Sequence, residues 1–204
     1  EPMKSDMHHL YPTHGSVNGA RSNYPFAEND DNNTDTWYTI DASGNYITTT
    51  TKPTTNIDAY SELDTDSPLN GGAVFEPLES HKGNVARSVF YFYTMYPTEA
   101  GPIENIIADA DISILYQWHL QDPVDSEEIA RNNRVAERQG NRNPYIDYPE
   151  LAAIAWGFTA NPPPAGGGGG ATTTALTISD YIEGSSHNKA IEIANLTGGS
   201  VDLS

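Results

Sequence analysis

The residues best suited to chemistry lie together in the stretch from Ser5 to Phe26. His8 and His9 can exchange protons with water near neutral pH. Asn18 offers a neutral amide oxygen, a ligand type that hard cations accept, and Arg21 offers a planar fork of donors for phosphate oxygens. These residue types at this spacing indicate a site that could hold a divalent cation beside a phosphate group.

Two short elements are predicted to position these side chains. Met7, His9 and Tyr11 alternate with Asp6, His8 and Leu10, which predicts a short strand with one histidine on each face. A turn follows at 12–15, and Ser16 is predicted to cap a short helix that carries Asn18 and Arg21. The alternative is ordinary: histidines are often buried for packing, and Asn, Gly and Ser are common in loops. Both interpretations stay open on these residues alone.

The charge of the chain is large, negative and unevenly distributed. Ten basic and 28 acidic residues give a formal charge of −18, whereas a polyanion-binding surface normally has a basic excess. Residues 27–72 contain nine acidic residues and one lysine, but four arginines fall between positions 131 and 142. The sequence therefore predicts a local basic surface on an otherwise acidic protein.

Three of these arginines lie on a predicted helix at 127–139, which Asp125 or Ser126 caps and Gly140 ends. Arg131, Arg134 and Arg138 stand at i, i+3 and i+7, so they share one face that could follow a phosphate backbone. Glu127 lies four residues before Arg131, and simple salt bridging on the helix surface is the alternative.

Other segments complete the predicted domain. Apolar side chains occupy nearly every face of the segment 85–96, which predicts a buried helix, with a buried strand as the alternative. Arg87 near its start needs an anionic partner such as Glu76 or a substrate phosphate. Strands at 36–40 and 46–50 flank a turn and predict a hairpin. Further helices are predicted at 106–120 and 149–156.

The C-terminal part differs in composition from the rest. Residues 161–175 combine three prolines, five consecutive glycines and three threonines, which predicts a linker. Residues 176–204 alternate as strands but are too few to build a core alone. The sequence has no cysteine, so disulfides and thiolate chemistry are excluded, and it has no apolar run of the ~20 residues that a membrane span needs.

The chain resembles the bacterial endonuclease I family of secreted or periplasmic nucleases over about residues 2–156. Several separated blocks in the same order make this resemblance specific. They are residues 6–12, 17–19, 21–26, 75–77, 82–83, 86–87, 118, 122–123, 131–132 and 139–145.

The resemblance implies an α+β fold: a mainly helical nuclease domain around a ββα-metal core whose first strand is missing from this sequence. It implies an endonuclease that cuts DNA, and RNA in many members, with little sequence preference and with one divalent ion, usually Mg²⁺. Asn18 matches the family's metal-binding asparagine. The residues expected to bind nucleic acid are Arg21, Asn23, Arg87, Arg131, Arg134, Arg138 and Arg142.

The sequence departs from the family pattern at the general base. The family carries this histidine in an Arg-Glu-His-like stretch whose glutamate also binds the metal, and no such stretch is present. His8 and His9 are the candidate catalytic histidines of these residues, but the resemblance places the base and one metal ligand before them. These residues alone are therefore expected to be inactive.

The expected organisation is a nuclease domain at 1–160, a linker at 161–175 and, at 176–204, the opening strands of a lamin-tail-type domain, an immunoglobulin-like sandwich. A secreted or periplasmic monomer without a membrane span is expected, with DNA and in some cases RNA as its partner. A non-catalytic secreted adhesion or binding module is the alternative from another functional class.

Overall fold

The computed structural model describes residues 2–158 and the strands 176–183 and 189–195. Residues 1–152 form one compact unit and residues 153–204 a second. The first unit combines helices with a four-stranded antiparallel sheet, so the predicted α+β class is confirmed. The predicted linker at 161–175 lies outside the described residues, and the predicted domain boundaries stay predictions.

The sheet contains β1 (Thr36–Ile40), β2 (Tyr46–Thr49), β3 (Ser61–Ser67) and β4 (Gly72–Glu76) in the order β2-β1-β3-β4. β1 and β2 form the predicted hairpin. Partners across antiparallel strands share a face, and successive residues alternate between faces. Tyr38, Leu63 and Phe75 therefore lie on one face, whereas Glu62 and Glu76 pair directly on the other.

Helix α1 (Gly15–Arg21) packs on the aromatic face of the sheet. Val17 and Ala20 contact the cluster formed by Tyr38, Leu63 and Phe75. The prediction that this helix carries Asn18 and Arg21 is confirmed. Its cap is His14 rather than Ser16, because Nδ1 of His14 accepts a hydrogen bond from the Ser16 N–H at 3.3 Å.

The predicted strand from Met7 to Tyr11 is wrong. Met7–His9 is instead a turn of 3₁₀ helix, because the Asp6 carboxylate accepts from the His8 N–H and the Leu10 N–H donates back to the Met7 carbonyl. A side-chain cap at Asp6 thus satisfies the backbone without a neighbouring strand. His8 is directed into the interior and His9 to a half-buried position.

The remaining elements of the first unit are helices. α2 (Lys82–Met95) confirms the predicted buried helix and packs against α3 (Ile112–Gln121) and α5 (Pro144–Asp147). α4 (Ser126–Gln139) has Asp125 as its cap and ends at Gly140, as predicted. The predicted helix at 106–120 forms only from Ile112, and α6 (Leu151–Ala155) is shorter than predicted.

Residues Leu176–Glu183 (β5) and Lys189–Asn195 (β6) pair as an antiparallel hairpin. The predicted strands in this segment are therefore confirmed, whereas the immunoglobulin-like sandwich stays a prediction. Across the described part of the chain, the helices are too short or too polar to span a bilayer.

Candidate nucleic-acid-binding cleft

A cleft of about 1180 Å³ opens beside α1. The aromatic face of the sheet lines one side with Tyr38 and Phe75, and α2 lines another with Val85 and Val89. Asn18 and Arg21 on α1 line it together, so the structure brings these two predicted site residues to one surface.

None of the described residues that line this cleft is an aspartate or glutamate. In a chain with 28 acidic residues, this is a pronounced local depletion. The alternation of the sheet provides the reason, because Glu62 and Glu76 belong to the opposite face from Tyr38 and Phe75. The lining also carries Lys4, Arg21 and three histidines, so this surface can accept a polyanion despite the net charge.

The Arg21 side chain is anchored at the edge of the cleft. Its guanidinium carbon lies 4.6 Å from the centre of the Phe26 ring, and Nη1 donates to the Ser22 carbonyl at 3.1 Å. Burial lowers the pKa of Arg21, and its Nε is buried without a hydrogen-bond partner. An arginine held in this way can donate to a phosphate without losing much conformational freedom.

Asn18 is exposed one helical turn from the start of α1. Asn18 lines the cleft, so its side-chain amide could contact a cation bound there. Asn23 is also exposed, but it lies outside the cleft lining, and its side-chain oxygen accepts from the Ser22 hydroxyl at 3.3 Å.

The two histidines predicted to be catalytic occupy different environments. His8 is fully buried against Tyr91, its Nε2 lies 2.9 Å from the Asn141 carbonyl, and burial lowers its pKa. His9 lines the cleft, where its Nε2 lies 2.7 Å from the Met3 carbonyl and its ring contacts Phe92. Only His9 of this pair is placed where a substrate could reach it.

Two further histidines of the cleft were missed by the sequence reasoning. His14 is exposed and stacks on Tyr46 with ring centres 4.8 Å apart and planes within 6°. His81 is half-buried, and burial lowers its pKa. The centre of its ring lies 4.8 Å from that of Tyr11, with the two planes at 87°. His14 caps the helix that carries Asn18, whereas His81 lies far from that helix in the sequence. Only the tertiary fold therefore shows that the two histidines share one surface.

Arg87 does not reach the surface. Its guanidinium is fully buried and pairs with Glu128, with Nη2 to Oε2 at 2.6 Å and Nε to Oε1 at 2.8 Å. Nη1 also donates to the Asp122 carbonyl at 2.9 Å. The predicted need for an anionic partner is correct, but the partner is Glu128 rather than Glu76 or a phosphate. In this geometry Arg87 holds α2 to α4.

The predicted arginine stripe of α4 is divided by its contacts. Arg131 turns away from solvent toward Tyr11, and Arg142 forms a two-pronged ion pair with Asp147 at 2.7 Å. Arg134 and Arg138 are exposed. Of the three arginines in the stripe, two remain exposed. Neither these three nor Arg142 lines the cleft.

The cleft lining supplies only part of a divalent-cation site. Asn18 offers one oxygen, but magnesium and calcium sites in proteins normally include carboxylates, and the described lining has none. The lining alone therefore does not complete the ligand set of a metal ion.

A separate group of carboxylates lies near the start of α2. Oxygens of Glu28, Glu76 and Glu79 lie within 4.8 Å of one another, close enough to hold a metal ion. The Lys82 ammonium already lies among them, at 2.9, 2.7 and 2.5 Å respectively. Burial raises the pKa of Glu76 to about 8, although the positive charge of Lys82 acts in the opposite direction and lowers it. A buried lysine thus supplies the positive charge that a metal would otherwise provide.

Comparison with known proteins matches this chain to secreted nucleases. The sequence model of the family described as Endonuclease I matches residues 1–150. The chain is 34% identical over 163 residues to the extracellular ribonuclease of Bacillus subtilis (strain 168), covering 74% of this chain and 46% of that protein. It is 28% identical over 145 residues to a periplasmic deoxyribonuclease of Aeromonas hydrophila, covering 71% and 48%.

The chain spans about half the length of these relatives. The family match nevertheless extends over the whole of the first structural unit that carries the cleft, apart from its last two residues. By this match, the chain belongs to the endonuclease I family.

Proposed function

We propose that this chain is the substrate-binding part of a secreted or periplasmic endonuclease that hydrolyses phosphodiester bonds in DNA, and also in RNA, with the help of a divalent cation, Mg²⁺ being the expected ion. The observation that carries the proposal is the acid-free cleft beside Asn18 and Arg21. The relatives named as extracellular and periplasmic nucleases support both the activity and the location.

The chemistry follows from the side chains of the cleft. Arg21 donates to non-bridging phosphate oxygens and thereby places the phosphodiester beside Asn18. Asn18 would offer its amide oxygen as one ligand, and a bound divalent cation would stabilise the charge that develops on the phosphate. Because these contacts address phosphates, they carry no base information, which agrees with cleavage of low sequence preference.

The aromatic side of the cleft adds a second kind of contact. Tyr38 and Phe75 on the sheet side are buried under α1, so the rings that a strand could contact are those of Tyr11, His14 and Phe92. Accessible rings next to cationic groups are usual features of sites for nucleic-acid strands. A purely adhesive module would not require such a combination, and the family match does not favour that alternative.

The test combines cleavage and binding. Supercoiled plasmid and a structured RNA are incubated with a full-length protein that includes these residues, across a magnesium titration and with EDTA. Binding of a labelled oligonucleotide is followed by fluorescence anisotropy. We expect salt-dependent binding, cleavage only with the cation, and lower turnover with a weaker magnesium dependence for Asn18→Ala. Unchanged activity of Asn18→Ala across the titration would remove the ligand assignment, and no binding at low salt would remove the proposal.

A further inference from the structure

His14 and Tyr46 form a stacked pair at the rim of the cleft. Their ring planes are within 6° of parallel and their centres are 4.8 Å apart, the geometry of offset stacking. Tyr46 is itself backed by Tyr38, whose ring centre lies 6.4 Å away at an angle of 25°. The strand register explains this backing, since Tyr46 pairs with Ile40 and so shares a face with Tyr38.

One face of the His14 ring is therefore covered by Tyr46, while the residue as a whole is exposed and lines the cleft. The ring is also fixed from its edge, because Nδ1 accepts from the Ser16 N–H at 3.3 Å. A flat ring held from one side and at its edge is a preformed surface for a second flat ring.

The position of His14 relative to Asn18 indicates which flat ring could stack on this surface. The Asn18 N–H donates to the His14 carbonyl at 2.9 Å, so the two residues stand one helical turn apart on α1. Arg21 follows on the same helix and lines the same cleft. A phosphate held beside Asn18 and Arg21 would therefore leave its own or the neighbouring base close to the His14 ring.

We propose that the His14–Tyr46 pair is a stacking subsite for an unpaired nucleobase, and that it directs the cleft toward single-stranded nucleic acid. The proposal rests on the proposed function, because it assumes that the cleft binds the phosphate backbone. Bases within a duplex are stacked on one another and cannot cover the open face of His14, whereas every unpaired base offers a π face.

The test uses two variants of His14 that separate the stacking of its ring from its role as the cap of α1. His14→Asn removes the ring but keeps a good helix cap, and His14→Phe keeps a ring but loses the cap acceptor. Binding is measured by anisotropy for a short oligothymidylate, for an abasic deoxyribose-phosphate strand of equal length and for a duplex. Thermal unfolding of each variant is recorded alongside to show that α1 and the sheet are intact.

We expect His14→Asn to weaken oligothymidylate binding about tenfold, the range that loss of one base–aromatic stack produces. The same variant should bind the abasic strand and the duplex as the wild type does, and His14→Phe should retain most of the affinity for oligothymidylate. A second readout is the His14 ring proton signal, which should shift with oligothymidylate and not with the abasic strand.

Equal losses for His14→Asn on all three ligands, or no loss on any of them, would overturn the stacking subsite. In either case wild-type binding to the abasic strand would still support the proposed function. If the wild type binds none of the three ligands at low salt, the proposed function and the subsite both fail.

Discussion

The Arg131 guanidinium carbon lies 4.1 Å from the centre of the Tyr11 ring. The same side chain donates from Nη2 to the carbonyls of Met7 and Leu10. Arg131 therefore joins α4 to the segment that leads into α1, the helix carrying Asn18. Its role in this structure is to position the rim of the cleft rather than to follow a phosphate backbone.

Replacing Arg131 by lysine tests this positioning role. Lysine keeps the charge but lacks the planar fork that reaches two carbonyls while stacking on Tyr11. We expect Arg131→Lys to lower the free energy of unfolding by about 1–3 kcal/mol, measured by urea denaturation. The matched control is Arg138→Lys on the exposed part of the same helix, expected to change it by less than about 0.5 kcal/mol. Equal effects of the two variants would argue against the assigned contact.

The Arg87–Glu128 pair makes a strong prediction about the core. Both side chains are about 1% exposed, and burial raises the pKa of Glu128 while Arg87 opposes that rise. Glu128→Gln leaves a buried guanidinium without its counter-charge, which costs about 3–5 kcal/mol. The double variant Arg87→Met/Glu128→Leu should recover much of this loss. If Glu128→Gln unfolds like the wild type, the pair is not buried as described.

Gly83 has a steric reason to be glycine. A Cβ built there would lie 1.9 Å from the Asp122 carbonyl oxygen and 2.8 Å from Nη2 of Arg87. Gly83→Ala should therefore destabilise the protein by more than about 2 kcal/mol, because backbone would have to shift. Gly19, a helical glycine of α1 with nothing within 4 Å, is the matched control. Gly19→Ala should raise the melting temperature, since alanine is the better helix former.

The buried His119 predicts a pH dependence of stability. Burial, reinforced by the charge of Arg87, lowers the pKa of His119 from 6.5 to about 4. Between these values His119 binds protons in the unfolded chain but not in the folded one, so the stability that it contributes falls as the pH decreases from about 6.5 to about 4. The contribution of His119 is at most about 3 kcal/mol.

Melting temperatures recorded across this interval check the sign and the assignment. His8 and His81 act in the same direction, because burial also lowers their pKa values. His119→Gln should therefore flatten the profile in part and not abolish it. The buried carboxyls of Glu62, Glu76 and Glu128 act in the opposite direction, because burial raises their pKa values. Identical profiles for His119→Gln and the wild type would therefore contradict the buried, neutral state of His119.

Local signals in the sequence were sufficient for several elements. The cap at Asp125 and the stop at Gly140 define α4, and Gly140 ends it at a φ of 82°, which glycine adopts without strain. The apolar run at 85–96 indicates α2, and the turn residues at 41–45 define the β1–β2 hairpin. Each of these signals depends on neighbours in the sequence, so no tertiary information was needed.

Elements whose stability comes from distant contacts could not be predicted. β3 carries Glu62 and Asp64 at buried positions, a composition that resembles a solvated loop until Thr34 is seen to donate to Glu62 at 2.6 Å. The partner of Arg87 is 41 residues away on another helix. The cleft has the same origin, because α1, α2 and the sheet must all be placed before His14 and His81 lie on one surface.

A nuclear magnetic resonance titration of the protein with a short oligonucleotide tests the central claim most directly. With EDTA present to prevent cleavage, we predict that amide and side-chain signals of Asn18, Arg21 and the other cleft-lining residues shift with increasing nucleic acid, and that these shifts diminish with added salt. Shifts confined to Arg134, Arg138 and their neighbours on α4, with the cleft signals unchanged, would contradict the account.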